Sequence, residues 1–196
     1  MAALPKRKYT IEEYVQILKN TEEKIEYLDG ELFSMVGGTL AHAEIAGNIL
    51  SVFRNRLATQ SCRAYSGELA VKVPAAPPFR LPDASVVCGK PITENFHGID
   101  LLVNPIVIVE VLSESTRKYD FSEKFRDYRT IESFTEFLLV AQDGRNVSHF
   151  VKRKGIWTIQ EVGKRIELSS IGCVLTLDEI YERMVFKQSV KKRSKR

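Results

Sequence analysis

Cysteine, histidine and long apolar runs are what this chain has least of. There are 3 Cys and 3 His in 196 residues. Cys62, Cys88 and Cys173 lie far apart, with no Cys-x-x-Cys pair and no neighbouring histidine to complete a zinc site, so they read as reduced thiols. The opening residues, MAALPKRK, lack the apolar stretch of a secretory leader. Together these absences point to a cytoplasmic location. His42, His97 and His149 are equally dispersed and offer neither a His-x-x-x-His helix pair nor a Ser-His-Asp order. No apolar run approaches the roughly 18 residues needed to cross a bilayer, so no membrane partner is expected. No Gly-x-x-x-x-Gly-Lys-Ser/Thr loop occurs, which leaves a nucleotide cofactor without support.

What is present suits one folded domain. Hydrophobic residues make up 44% and charged residues 28%, and a chain of this length buries a single core without staples. The formal charge of +4 is local in origin. Six of the 29 basic residues and none of the 25 acidic ones fall in 187–196, so the remaining body carries −2. We expect one domain over residues 1–186 and a basic, flexible tail over 187–196. That tail reads first as a solvated end and second as a weak handle for a polyanion.

Periodicity supplies the elements. Thr10-Ile-Glu-Glu13 is a capping box, and Ile11, Tyr14, Val15 and Leu18 recur at helical spacing into the low twenties. Ile25 to Met35 reads as a hairpin around Asp29-Gly30, and Gly37-Gly38 breaks the chain. Residues 39–57 carry Ile45, Ile49, Val52, Phe53 and Leu57 on one helical face, with Arg54 and Arg56 turned outward. Strands are expected at 63–73, 83–88, 105–112 and 136–141, with a helix over 116–131 between the last two. An antiparallel pair, 147–151 with 156–162, and a capping box at Thr176 opening a last helix complete the pattern. The economical architecture is α/β, a mixed central β-sheet flanked by α-helices.

One residue breaks the apolar logic. Residues 106–112 read Ile-Val-Ile-Val-Glu-Val-Leu, and Glu110 sits inside that run. A buried carboxylate costs several kcal/mol of desolvation, so the sequence calls for a partner charge, a metal or a strand end at the solvent edge. Asp83, after Pro82, opens a short apolar strand that would lie beside the first, and two carboxylates from neighbouring strands can chelate one Mg²⁺ while leaving positions for water and phosphate. On the following helix, Lys124 falls at the border of the inward stripe defined by Phe121, Phe125 and Tyr128. It can reach Glu110 from there, or it can snorkel with its ammonium in water.

Pro82-Asp83, Glu110-Val-Leu-Ser113 and Asp120-x-x-x-Lys124-x-x-x-Tyr128 together resemble the Uma-two family of endonucleases, within the PD-(D/E)XK superfamily. The similarity runs through Glu26-Tyr-Leu-Asp-Gly30-Glu31, His42, residues 69–74, 137–140 and 175–181. The resemblance implies a restriction-endonuclease-like core and Mg²⁺-dependent cleavage of DNA, with Mn²⁺ as a possible substitute. It further implies that Asp83, Glu110 and the backbone carbonyl of Val111 bind the metal, that Lys124 orients or activates the attacking water, and that Glu31 is a further acid of the site. Leu112 stands where the superfamily's plain motif has lysine, and Lys124 fits relocation of that lysine onto the next helix. Glu26 ranks below Glu31, His42 reads as a local hydrogen-bonding residue and Tyr128 as core. Arg117 is a candidate phosphate contact, whereas Arg63, Arg80 and Lys72 are too scattered to define a groove. A homodimer is expected because one small domain offers limited DNA-binding surface. The competing reading is a catalytically inactive nuclease-fold module that binds nucleic acid or a protein partner.

Overall fold

The run at 106–112 becomes an inner strand of a six-stranded mixed sheet in the computed structural model, which describes residues 7–35, 38–112 and 120–186. The first half of the chain forms α1 (Ile11–Lys19), β1 (Ile25–Leu28), β2 (Glu31–Ser34), α2 (Leu40–Leu57), β3 (Cys62–Ser66), β4 (Ala70–Val71) and β5 (Ala84–Cys88). Then come β6 (Thr93–Phe96), β7 (Ile99–Leu102) and β8 (Val107–Leu112). A π-helical turn, Asp120–Lys124, leads into α3 (Phe125–Tyr128). The remainder is β9 (Glu136–Ala141), β10 (Val147–Arg153), β11 (Ile156–Gln160), β12 (Arg165–Leu168), β13 (Cys173–Thr176) and α4 (Leu177–Ile180).

The main sheet has the order β11-β10-β9-β8-β5-β3. β8 runs parallel to β9 and antiparallel to β5. Every residue of β8 and β9 is buried, which is why these strands lack polar alternation. On one face, Ile45, Ile49, Phe53 and Leu57 of α2 meet Val107, Val109 and Val111. On the other, Tyr128, Phe134 and Phe137 cover Ile108 and Leu112. The strand pleat therefore turns Glu110 toward the α3 face. A third cluster, built on Tyr14, Ile25, Leu32, Phe79 and Leu101, docks α1 and the first hairpin. There the Tyr14 hydroxyl donates to the Ile25 carbonyl at 2.6 Å.

The caps at Thr10, Thr39 and Thr176 form as the sequence suggests. Asp29 (φ 47°) and Gly30 (φ 89°) make the left-handed turn of the first hairpin. Four features differ from expectation. The helix expected over 116–131 ends at Tyr128, and its described part is a π turn plus one short α-helical turn. The strand expected over 63–73 splits, and β4 joins a separate three-stranded sheet, β4-β7-β6. The hairpins β6-β7 and β12-β13 were not anticipated, because β6 is largely exposed and has no apolar alternation, and β12 is only four residues long. Finally, the cysteines are not three thiols. The β3–β5 register sets Cys62 directly opposite Cys88 and their sulfurs are bonded, while Cys173 is a free, buried thiol. Twenty-six residues separate the pair in sequence, so only the strand pairing brings them together. Gly37, Ser113, Arg117 and the tail 187–196 lie outside the described residues. Among the described residues, no helix is long and apolar enough to cross a membrane.

A Cβ at Gly30 would meet the Lys8 side chain at 3.1 Å as well as straining the backbone. Gly30→Ala should lower stability by about 1–2 kcal/mol, read from urea unfolding, and an unchanged midpoint would show that the turn relaxes freely. Burial pushes the Tyr181 hydroxyl up to about 12, and raises that of Tyr14, beside Glu26, further still. Both values exceed the ordinary 10.0, so the folded state keeps protons that the unfolded chain releases. Stability should hold below about pH 10 and fall as pH rises through the folded values. Urea midpoints compared on the two sides of pH ~10 test this, and a midpoint that rises with pH there would contradict it.

Candidate active site

The antiparallel pairing of β5 with β8 sets Ala84 against Val109, which carries the preceding Asp83 to the end of β8 that holds Glu110. Asp83 Oδ2 accepts the Val111 N–H at 2.6 Å. Its other oxygen, Oδ1, faces His42 Nε2 at 3.2 Å. His42 comes from the first turn of α2, where the Thr39 hydroxyl accepts the His42 N–H at 3.1 Å.

Glu110 is 4% exposed and is paired from the helix side. Its Oε1 accepts the Tyr128 hydroxyl at 2.8 Å and the Lys124 ammonium at 3.2 Å. Lys124, 3% exposed, also reaches Glu26 Oε2 at 3.6 Å. Regular helical phase put Lys124 only at the border of the inward stripe. Lys124 has right-handed α dihedrals at the entry of α3 and, four residues before Tyr128, shares that residue's face toward Glu110. Desolvation, reinforced by Glu110 and Glu26, holds the Tyr128 phenol well above its usual range. Tyr128 is thus a neutral donor to Glu110.

Glu26 is anchored from behind. Its Oε1 accepts the Leu81 N–H at 3.1 Å. Next to it, the buried Arg80 guanidinium donates to the Tyr27 carbonyl at 2.7 Å and pairs with Asp127 at 3.4 Å. Arg80 thereby ties the first hairpin to α3. Among the described residues, four carboxylates (Glu26, Asp83, Glu110, Asp127) face two buried permanent cations (Arg80, Lys124) and the largely exposed Arg126, with His42 at the margin. In a setting this dry, surplus negative charge favours a bound cation.

Among the described residues, no three His, Cys, Asp or Glu side chains converge into a ready-made metal cage. Asp83 and Glu110 form a pair of hard oxygen donors on adjacent strands, with the Val111 carbonyl on the same strand. That donor set fits Mg²⁺, which is commonly held by one or two carboxylates with waters and substrate phosphate completing the shell.

The structure thus brings Asp83, Glu110 and Lys124 to one place. Glu31 stands apart, exposed at the start of β2, and among the described residues no hydrogen bond or ion pair joins it to the cluster. Glu26, ranked lower from sequence, is the acid of the first hairpin that faces Lys124. The signal was available: Glu26 lies between Ile25 and Tyr27 in a short strand, the same anomaly as Glu110. Arg80, between Phe79 and Leu81, is an interior cation and not a groove residue. Lys72 pairs with Glu94. The side chain of Asp120, like Arg117, lies outside what is described.

Comparison with known proteins establishes the lineage. A family model, Uma2, described as "Putative restriction endonuclease", matches residues 11–178. An uncharacterized protein of Synechocystis, slr1290, is 31% identical over 185 residues, covering 93% of this chain and 96% of that one. A second Synechocystis protein, sll1609, is 28% identical over 144 residues, or 73% and 80% of the two chains. The crystal structure of a "putative nuclease belonging to DUF820" from Anabaena variabilis has the same fold, with a TM-score of 0.69 at 18% identity over 90% of this chain and 99% of that one. With the family model spanning most of its length, the chain belongs to the Uma2 family of restriction-endonuclease-like proteins.

Proposed function

We propose that the protein is a Mg²⁺-dependent endonuclease that cleaves DNA, with Asp83, Glu110 and the Val111 carbonyl holding the cation and Lys124 acting beside it. The observation that carries this reading is that the β5–β8 pairing brings Asp83 to the Glu110 end of β8, where a buried lysine pairs with Glu110. Family membership supports DNA as the substrate class.

A cation held there supplies polarisation of a phosphate oxygen and of the attacking water. The protein's own groups do the rest. The Val111 N–H and His42 fix the Asp83 carboxylate from two sides. The Tyr128 hydroxyl fixes Glu110. Lys124 places a positive charge where negative charge grows on the phosphoryl oxygens during in-line attack, and its burial strengthens that interaction. Glu31 has no part in this arrangement.

Asp83→Ala, Glu110→Ala and Lys124→Ala should each reduce cleavage of plasmid DNA by at least about 100-fold while preserving the far-ultraviolet circular dichroism spectrum. A variant that still cuts at the wild-type rate removes its residue from the mechanism. Calorimetric titration of Mg²⁺ and Mn²⁺ should show binding that Asp83→Ala abolishes. If neither cation binds, the inactive module that captures nucleic acid or a protein partner becomes the surviving reading.

A further inference from the structure

Among the described residues, Glu26 is a buried carboxylate facing Lys124 that the mechanism above does not use. We infer that Glu26 is a positioning residue that serves as a second seat for Lys124, letting the lysine yield Glu110 to an incoming divalent cation without losing a counter-charge. The inference rests on the cation site proposed between Asp83 and Glu110.

The geometry supports an exchange. One ammonium lies 3.2 Å from Glu110 and 3.6 Å from Glu26, and all three side chains are 4–5% exposed. A divalent cation on Glu110 repels an ammonium on the same carboxylate, so the lysine must shift. In water it would simply swing out. Here the surroundings are desolvated, and an ammonium stripped of its carboxylate costs several kcal/mol. Glu26 removes that penalty, because it lies within a small side-chain rotation of where the ammonium already sits. Its own orientation is fixed, since Oε1 accepts the Leu81 N–H at 3.1 Å while Oε2 faces the lysine. Leu81 lies two residues before Asp83, so the seat and the metal-binding strand share a backbone anchor. The Arg80 contacts to the Tyr27 carbonyl and Asp127 hold the first hairpin and α3 together, which preserves the spacing.

The test is calorimetric titration of Mn²⁺, without DNA, into the wild type, Glu26→Gln, Lys124→Met and the double variant. Gln keeps the volume and an acceptor for the Leu81 N–H while losing the charge, and metal-free melting temperatures report on the fold. Lys124→Met should bind Mn²⁺ more tightly than the wild type, because the competitor is gone. Glu26→Gln should bind about tenfold more weakly, and the same change in the Lys124→Met background should alter affinity less than about twofold. Equal weakening in both backgrounds would make Glu26 a direct ligand and overturn the inference. So would an unchanged affinity in Glu26→Gln, or a Lys124→Met variant that binds no tighter than the wild type. If neither the wild type nor Lys124→Met binds Mn²⁺, the cation site itself fails, a result distinct from binding that ignores Glu26.

Discussion

A carboxylate inside a fully buried strand is the constraint around which the rest of this molecule is arranged. Glu110 cannot be left unpaired at 4% exposure, and everything on the α3 side of the sheet supplies its partners. The Tyr128 hydroxyl and the Lys124 ammonium come from one helical segment, so its placement fixes both bonds at once. That segment is short. Its position is set by the aromatic cluster of Phe125, Phe134, Phe137, Phe150 and Trp157 beneath it and by the Arg80–Asp127 pair at its side. The apolar packing aims the polar groups.

The first hairpin has a parallel role from the opposite direction. Its own contribution to the core is modest, yet Tyr14 pins the Ile25 carbonyl and Arg80 pins that of Tyr27. The backbone is thus held on both sides of Glu26, and the acid enters the site as a fixed group. Two interior cations and four carboxylates then fall into neighbouring groups, with Lys124 shared by Glu26 and Glu110, Arg80 paired with Asp127, and Asp83 held by His42. In such a group the loss of one member leaves its neighbours buried without a counter-charge, so effects of substitutions within it are coupled.

Much of this was legible in the sequence, and the residues missed share a physical reason. Capped helices and the Asp-Gly hairpin were readable because their signals are local, confined to four or five residues. Glu110 was readable because a charge inside an apolar run is anomalous in any fold. Glu26 carries the same anomaly over a shorter strand, and Glu31 drew attention away from it by lying beside a turn, where acids are common and solvated. Arg80 was assigned no role because its partners, Tyr27 and Asp127, lie about fifty residues away in either direction. The Cys62–Cys88 bond was hidden for the same cause, as only the β3–β5 register reveals it. Helical phase placed Lys124 at the border of the inward stripe and left its depth open, because burial there depends on Glu26 and Glu110, which distant strands supply.

The placement of the lysine on a helix, with Leu112 in the strand beside Glu110, also has a packing logic. Leu112 lies on the same face as Glu110 and joins the cluster with Ile108, Tyr128 and Phe137. A lysine at that position would place its ammonium beside Glu110, but it would take an apolar contact from the patch that seats α3. With the lysine at 124, Leu112 remains part of that seat, and the ammonium arrives on the element the seat positions. The charge that neutralises Glu110 and the packing that locates it are therefore assigned to different residues. Such a division lets Lys124 change partners without disturbing the sheet, which a lysine fixed in the strand beside Glu110 could not do as readily.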